Sequence, residues 1–223
     1  MTAVFVTATG TGVGKTFVAT GLIRHFRSAG RTVDVIKPVV SGFDGGEDSD
    51  PARLLAALGR SVSDEEIARM SPWRFSAPLS PDMAARREQR AISFTEVVEF
   101  CRGATAQRRD VLLIEGIGGI MVPLDDRHTV LDLMSLLRIP IVLLAGSYVG
   151  TLSHILTSLE VLARRNLDVA AVVVSESEDS AASLADTVAT LERFADSIDV
   201  IGLPRLPSGA GEHPAFARLA ALL

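Results

Sequence analysis

Residues 9–16 read Thr-Gly-Thr-Gly-Val-Gly-Lys-Thr, and this loop constrains the fold more than any other segment of the chain. It follows a short apolar run at residues 3–7 and precedes a stretch with apolar residues at helical spacing, 15–29. A glycine-rich loop that joins a strand directly to a helix is the first connection of many α/β proteins with a parallel sheet. The loop therefore predicts that the chain opens with a βα unit.

The rest of the chain repeats this alternation of short β-branched runs and longer helical patterns. We predict strands at residues 3–7, 33–37, 111–115, 141–145, 169–174 and 200–203, and helices at 15–29, 51–58, 93–107, 129–137, 151–165 and 180–194. Segments 39–50 and 70–81, rich in glycine, proline and polar residues, are predicted loops. The pattern predicts a single-domain, doubly wound α/β fold over residues 1–223, with a mainly parallel sheet and P-loop NTPase-like architecture.

Composition narrows the class of partner. The formal net charge of −5 and the pI near 5.4 provide no basic field for nucleic acid or anionic lipid. A lone cysteine, Cys101, cannot form an intrachain disulfide, and the four histidines lie far apart, so a zinc site is disfavoured. Despite a mean hydropathy of +0.32, the apolar run around residues 139–145 is far shorter than the ~20 residues that span a bilayer. We expect a soluble, cytoplasmic protein that acts on small molecules.

The chemistry of the glycine loop points to a nucleotide. Glycines at 10, 12 and 14 allow backbone N–H groups to wrap around phosphates, and the next helix adds its dipole. Lys15 is expected to reach the β- and γ-phosphates, and the Thr16 hydroxyl to coordinate magnesium. Thr9 stands where the strict pattern has glycine, so an ordinary glycine-rich turn is the alternative. A dinucleotide site is disfavoured because Lys37, not an acid, ends the second strand.

Two acidic residues are candidates for the metal. Glu115 ends an apolar strand and is followed by Gly-Ile-Gly-Gly, so it should emerge at the carboxyl edge of the sheet beside the loop. The glycines should allow a ligand to approach the backbone there. Asp50 precedes a helix in an acidic segment, where a helix cap, a metal ligand and a solvated charge are all compatible with the sequence.

Three motifs in this order resemble the dethiobiotin synthetase family: the glycine loop, Lys-Pro-Val-Val-Ser-Gly at 37–42 and Glu-Gly-Ile-Gly-Gly at 115–119. The likeness extends through the aromatic-Pro-Ser-Pro segment 73–81 and through Gly-Thr-Leu-Ser-His at 150–154, and weakens in about the last fifty residues. Many members have Glu at Gly12, Ala at Ile117 and Asn at Ser175, so no side-chain role is assigned to Gly12 or Ile117 and base selectivity stays open.

The resemblance implies roles for particular residues. Lys15 and Lys37 would be the catalytic lysines, and magnesium would be held by Thr16, Asp50 and Glu115. Substrate contacts would come from Thr11, Ser41, Gly150, Thr151, Leu152 and Ser153, the last four across the interface of a homodimer. Nucleotide contacts would come from Gly12, Val13, Gly14, Lys15, Thr16, Phe17, Asp50, Glu115, Gly116, Ile117, Gly118, Ser175, Pro204, Arg205 and Leu206.

The resemblance also implies a reaction: ATP-dependent carboxylation and ring closure of 7,8-diaminopelargonate with CO2 or bicarbonate, with magnesium as cofactor. Two alternatives remain at this point. A related P-loop amide ligase usually carries a glutaminase domain with a nucleophilic cysteine, whereas Cys101 falls in a predicted helix. A partitioning-type ATPase switch has a signature lysine where this chain has Gly10. No nucleic acid or membrane partner is expected.

Overall fold

The computed structural model describes residues 2–178, 180–195, 197–206 and 212–223. Its main element is a six-stranded, fully parallel sheet with strand order β2-β5-β1-β6-β7-β8, next to a two-stranded parallel pair, β3-β4. The strands are β1 (Thr2–Ala8), β2 (Val33–Ile36), β3 (Val39–Ser41), β4 (Trp73–Phe75), β5 (Val111–Glu115), β6 (Ile141–Gly146), β7 (Val169–Ser175) and β8 (Asp199–Leu203). The predicted α/β, P-loop-type architecture is confirmed.

Helices cover both faces of this sheet. They are α1 (Lys15–Ser28), α2 (Asp50–Leu58), α3 (Asp64–Met70), α4 (Pro81–Arg87), α5 (Phe94–Thr105), α6 (Val130–Leu137), α7 (Thr151–Arg164), α8 (Leu184–Glu192) and α9 (Pro214–Ala221). Strand β5 supplies both layers, because Leu112 and Ile114 pack with α4–α8 while Val111 and Leu113 pack with α1–α3 and α9. A strand buried on both faces is apolar at every position, as β5 is up to Glu115.

Several local predictions need correction. Segments 39–50 and 70–81 are not entirely loops, since β3 and β4 pair there with Val39 opposite Trp73 and Ser41 opposite Phe75. Helix α8 begins at Leu184 rather than at residue 180, and β2 ends at Ile36, one residue before Lys37. Pairs of three-residue strands are too short to show a period, which explains why the sequence pattern did not indicate them.

The order of the strands creates the crevice that holds the site. From β1 the chain first moves to one side of the sheet, to β2, and later to the other side, to β6, so connections on opposite faces separate at the carboxyl ends of β1, β5 and β6. Ligands of doubly wound proteins bind at such a switch point. Within the described residues, no helix is long and apolar enough to cross a membrane.

Candidate active site

The glycine loop connects β1 to α1 at this switch point. Gly14 precedes α1 with φ +95°, a left-handed conformation that favours glycine, and a Cβ there would lie 3.3 Å from the Ser175 hydroxyl oxygen. The Lys15 Nζ donates to the carbonyl oxygens of Gly118 at 2.8 Å and Gly10 at 3.2 Å, so its ammonium lies across the loop. These bonds occupy the lysine that was predicted to reach phosphates, and phosphate binding would have to exchange them.

Lys37 connects two carboxylates beside the loop. Its Nζ lies 2.5 Å from Asp50 Oδ2 and 2.5 Å from Glu115 Oε1. The Thr16 hydroxyl donates to the same Glu115 oxygen at 2.7 Å. Lys37 is 4% exposed and Glu115 is fully buried, so water screens their ion pair little, whereas the Asp50 side chain is 44% exposed. The structure therefore brings together all three predicted magnesium ligands and the predicted catalytic lysine.

The pKa values of the two lysines are shifted in opposite directions. Burial and the positive charge of Lys37 together lower the pKa of Lys15 to about 8, because Glu115 and Asp50 offset them only in part. Burial would also lower the pKa of Lys37, but Glu115 and Asp50 outweigh it and raise that pKa above its ordinary value. Burial would raise the pKa of Asp50, yet the ammonium of Lys37 holds it below its usual range. Lys37 and Asp50 are accordingly an ion pair at neutral pH.

The oxygen atoms of Thr16, Asp50 and Glu115 fit a magnesium ion. Magnesium prefers hard oxygen ligands and usually takes one or two carboxylates, completing its shell with water and phosphate oxygens. Glu115 Oε2 is buried without a hydrogen-bond partner, so it has a lone pair to offer. In the described part of the chain, no group of three or more His, Cys, Asp or Glu residues is arranged for a metal. The proposed magnesium ligands include only two such residues, Asp50 and Glu115, together with the Thr16 hydroxyl, so they do not form a group of that kind.

A cavity of about 560 Å³ opens in front of these groups. It is lined by Thr11, Gly12, Gly14, Lys15, Thr16, Phe17, Lys37, Ser41, Asp50, Ile117 and Gly118 from the predicted set, and by Val40, Arg53, Val122 and the segment from Pro78 to Pro81 in addition. Arg53 is one helical turn beyond Asp50 in α2, and sequence reasoning missed it because an arginine on an exposed helix face carries no local signal. Both the phosphate loop and the predicted substrate residues Thr11 and Ser41 face one space.

Two of the three glycines that follow Glu115 are required by packing within the chain. A Cβ on Gly116 would lie 2.8 Å from the Phe5 ring, and one on Gly119 would lie 2.8 Å from the Thr9 carbonyl oxygen. These two glycines therefore allow the segment to pack against β1 and against the backbone of the glycine loop. Gly118 is the glycine of this segment that lines the cavity, and its carbonyl accepts from Lys15.

The predicted residues at the base end of the nucleotide lie together, outside this cavity. Ser175 ends β7 opposite Leu203, directly before Pro204, Arg205 and Leu206. The Arg205 backbone N–H donates to Glu176 at 2.8 Å. Ser175 is also the residue that a Cβ on Gly14 would contact, so this edge adjoins the phosphate loop. Val13 packs beneath the loop against the core of the α1 face.

The segment from Gly150 to Ser153 does not join the cavity in the same chain. Gly150 precedes α7 with φ +98°, and the Thr151 hydroxyl is buried and donates to the Gly146 carbonyl oxygen at 2.6 Å. Leu152 and Ser153 lie in the first helical turn, where backbone N–H groups have no partner within the helix. The neighbouring Val149 is 80% exposed. The start of α7 thus has backbone N–H donors in its first turn and the exposed apolar side chain of Val149 next to it.

The parallel sheet, the glycine loop and the lysine and carboxylates around it define the class of P-loop nucleotide-binding proteins. Solved structures agree at the level of the fold: the cell-division ATPase MinD of Pyrococcus furiosus superposes with a TM-score of 0.58 at 16% identity, covering 100% of this chain and 98% of that one. MinD in the MinC:MinD complex of Aquifex aeolicus gives 0.58 at 12% identity, covering 100% of this chain and 93% of that one.

Sequence relatives define the family. A family model described as an AAA domain matches residues 2–211. A protein of Caulobacter vibrioides named ATP-dependent dethiobiotin synthetase BioD is 47% identical over 208 residues, 92% of this chain and 93% of its own. A protein of the same name from Acidiphilium cryptum is 47% identical over 177 residues, covering 78% and 79%. The chain belongs to the family of ATP-dependent dethiobiotin synthetases.

The family assignment agrees with the state of the cysteine. Cys101 is fully buried in α5, and burial raises the pKa of its thiol to about 12. A thiol in that environment packs as a small apolar group and is not a nucleophile, which argues against the amide-ligase alternative. The likeness to MinD, at 12–16% identity, is a likeness of fold.

Proposed function

We propose that this chain is an ATP-dependent dethiobiotin synthetase, a cyclo-ligase of biotin biosynthesis. It would join CO2 to 7,8-diaminopelargonate and close the cyclic urea of dethiobiotin, converting ATP to ADP and phosphate. The observation that carries the proposal is that Lys15, Lys37 and Asp50 line one cavity beside the glycine loop, with the buried Glu115 in contact with Lys37. The glycine loop would hold the phosphates, and Ser41 with the segment from Pro78 to Pro81, which lines the same cavity, would face the diamine.

The chemistry begins with capture of CO2 by one amine of the diamine, which loses a proton and becomes a carbamate. A carbamate oxygen then attacks the γ-phosphorus of ATP, and ADP leaves. The second amine attacks the carbonyl carbon of the resulting carbamic-phosphoric anhydride, expels phosphate and loses its proton as the ring closes. Each bond that breaks is replaced by one that forms, and the protein supplies position and charge rather than a covalent intermediate.

The residues divide this work by location. Lys15 and the backbone of Gly12, Val13, Gly14, Thr16 and Phe17 would hold the phosphates, and Ser175 with Pro204, Arg205 and Leu206 would lie along the base. Thr16, Asp50 and Glu115 would hold magnesium, which neutralises phosphate charge when bound. Lys37 would place its charge between the carbamate and the γ-phosphate, where two anions otherwise repel each other. Thr11 and Ser41 would contact the diamine.

We further propose that one catalytic domain works as half of a homodimer. The start of α7, from Gly150 to Ser153, is separate from the cavity of its own chain, although its free N–H groups suit the substrate's carboxylate. A second copy could bring this segment to the open end of the cavity, with the exposed Val149 as part of the contact. Because the reaction consumes ATP, a cytoplasmic metabolite, we place the enzyme in the cytoplasm.

The test is release of phosphate from ATP with magnesium and bicarbonate, with and without 7,8-diaminopelargonate. We expect phosphate release to depend on the diamine, with one dethiobiotin formed for each phosphate. Hydrolysis that ignores the diamine would contradict the proposal and favour an ATPase switch. Phosphate release that requires a different carboxylate and ammonia would favour an amide ligase.

A further inference from the structure

Lysine occurs at only two positions in this chain. Of the 22 Lys and Arg residues in the sequence, Lys15 and Lys37 are the lysines and the remainder are arginines. Both line the same cavity, and their ammonium groups are held in different ways: Lys15 by carbonyl oxygens, Lys37 by carboxylates. The contacts of Lys37 have a consequence for the order in which the site assembles.

The ammonium of Lys37 contacts the two carboxylates that fit a magnesium ion, Asp50 and Glu115. Glu115 Oε1 accepts from Lys37 at 2.5 Å and from Thr16 at 2.7 Å, so both of its lone pairs are used. Asp50 Oδ2 accepts from the same ammonium at 2.5 Å. A divalent cation that takes ligands from Thr16, Asp50 and Glu115 would therefore meet a positive charge already bound there.

Two cations in this place would repel each other strongly. Lys37 is 4% exposed and Glu115 is fully buried, so little water screens these two groups, while the Asp50 side chain is 44% exposed and faces the cavity. Two carboxylates balance one ammonium with one charge to spare, but they cannot balance an ammonium and a divalent ion together. The backbone of Lys37 is fixed, because it follows β2 directly and its N–H donates to Met70 at 3.2 Å. Only the side chain can yield, and the cavity that it lines is the adjacent open space.

We propose that Lys37 is an exchangeable counter-ion: it neutralises Asp50 and Glu115 until a divalent cation binds them, and then turns into the cavity. This exchange does not depend on the identity of the substrate. Where the proposed function also holds, the released ammonium would face the carbamate, so the charge that brings carbamate and γ-phosphate together becomes available only after the metal is bound. A static ion pair, with Lys37 retained by the carboxylates throughout, is the competing interpretation.

The first experiment observes the two lysines directly in the wild-type protein. Lysine labelled with ¹³C and ¹⁵N gives two side-chain signals, which the variant Lys37→Arg assigns because it leaves Lys15 as the remaining lysine. We expect titration with Mg²⁺ alone, at constant ionic strength, to shift the Lys37 ε-CH2 and ammonium signals in a saturable way and to move those of Lys15 much less. A Lys37 signal that stays in place throughout the titration overturns the proposal.

The second experiment measures Mg²⁺ affinity in two variants by calorimetry without nucleotide. Lys37→Met removes the competing cation, whereas Arg53→Gln removes an exposed cation that lines the same cavity and pairs with Asp48 at 3.4 Å. We expect Lys37→Met to bind Mg²⁺ at least about tenfold more tightly than wild type, because the carboxylates lose their buried partner. Arg53→Gln should change the affinity by less than about threefold, as an exposed charge does.

Equal or weaker Mg²⁺ binding by Lys37→Met than by Arg53→Gln would overturn the exchange. If Lys37→Met does not fold, the lysine spectra of the wild-type protein decide the question. Neither experiment contains ATP or diamine, so its failure leaves the proposed function intact. Conversely, phosphate release that is independent of the diamine would remove the proposed function without affecting the exchange.

Discussion

The ammonium of Lys37 is held at 2.5 Å by a fully buried glutamate and by an aspartate, and its pKa lies above the ordinary lysine value because those carboxylates outweigh its burial. Lys15, with carbonyl oxygens as its partners, has a pKa of about 8, because its burial and the charge of Lys37 outweigh the effect of those carboxylates. Lys37 is therefore the permanent positive charge of the cavity, while Lys15 gains full charge when phosphates approach it. Substitutions of the two lysines should therefore have different effects on the enzyme.

Replacing Lys37 by glutamine tests its catalytic role. We expect Lys37→Gln to lose at least about a hundredfold in turnover, because one preorganised charge at a transferring phosphoryl group has an effect of that size. Its affinity for ATP with magnesium should not fall, since Lys15 and the loop backbone hold the phosphates. Initial rates and equilibrium nucleotide binding measure the two quantities. Arg69→Gln, which removes an exposed cation paired with Glu65 and Glu66, is the control. Wild-type turnover in Lys37→Gln would contradict the assignment.

At the scale of elements, two glycines within helices differ in the space around them. Gly21 in α1 is a notch for α9, because a Cβ there would lie 2.2 Å from the buried Phe216 ring. Gly103 in α5 has no atom within 4 Å of a Cβ built on it and is exposed. The same substitution should therefore change stability in opposite directions.

Alanine at the two positions gives a matched pair. Gly103→Ala should raise the free energy of unfolding by about 0.5–1 kcal/mol, the usual gain from removing a glycine within a helix. Gly21→Ala has the same gain in helix propensity, but overpacking costs about 1–3 kcal/mol, so we expect net destabilisation. Denaturant unfolding of both variants measures the difference. A stabilised Gly21→Ala would mean that α9 moves away without cost, and would contradict the close packing of α1 and α9.

The start of α6 predicts a pH dependence of stability. Thr129 and Asp132 form a capping box, with the Asp132 carboxylate accepting from the Thr129 N–H and hydroxyl at 2.8 Å each. Burial would raise the pKa of Asp132, but these donors hold it below its ordinary value. A lowered folded-state pKa stabilises the protein above the unfolded-state value and loses that contribution as the pH falls through the folded-state value.

The variant Asp132→Asn checks this sign. At pH 7 it should unfold with a free energy lower than that of wild type by about 0.5–2 kcal/mol, the typical effect of a helix cap. The difference should shrink as the pH falls below about 3.9, where the unfolded aspartate takes up a proton. Unfolding curves of both proteins between pH 7 and pH 3 measure it. A difference that stays constant over this range would assign the effect to shape rather than to charge.

The sequence predicted the long elements and not the short ones. Strands β1 and β5–β8 are at least five residues long and mostly apolar, and their pattern indicated the parallel sheet. The pair β3-β4 was missed because strands of three residues, each directly after a proline, are too short to show the alternation of apolar and polar residues. In the site, Glu115 was placed correctly by its position at the end of a strand, whereas its contact with Lys37 depends on side chains 78 residues apart. Arg53 had no signal at all.

On the scale of the whole molecule, the carboxyl edge of the sheet has two separate surfaces. In our proposal, both contact the same substrate. The cavity is lined by Lys15, Lys37 and Asp50, and the buried Glu115 contacts Lys37. The start of α7, after β6, has free N–H groups but does not line that cavity. If both surfaces serve one substrate, each complete site needs residues of two chains, and this requirement can be tested genetically.

Two defective subunits should then restore a complete site. Lys37→Gln disables the chemistry of its own cavity, and Ser153→Glu places a negative charge in the first turn of α7, where it favours the helix but repels a substrate carboxylate. Each homodimer has two defective sites, whereas a heterodimer has one doubly defective site and one intact site. Co-expression with different tags should yield roughly a quarter of wild-type activity by random pairing, although either variant alone is nearly inactive. Purified heterodimer without activity would show that the α7 segment serves the cavity of its own chain.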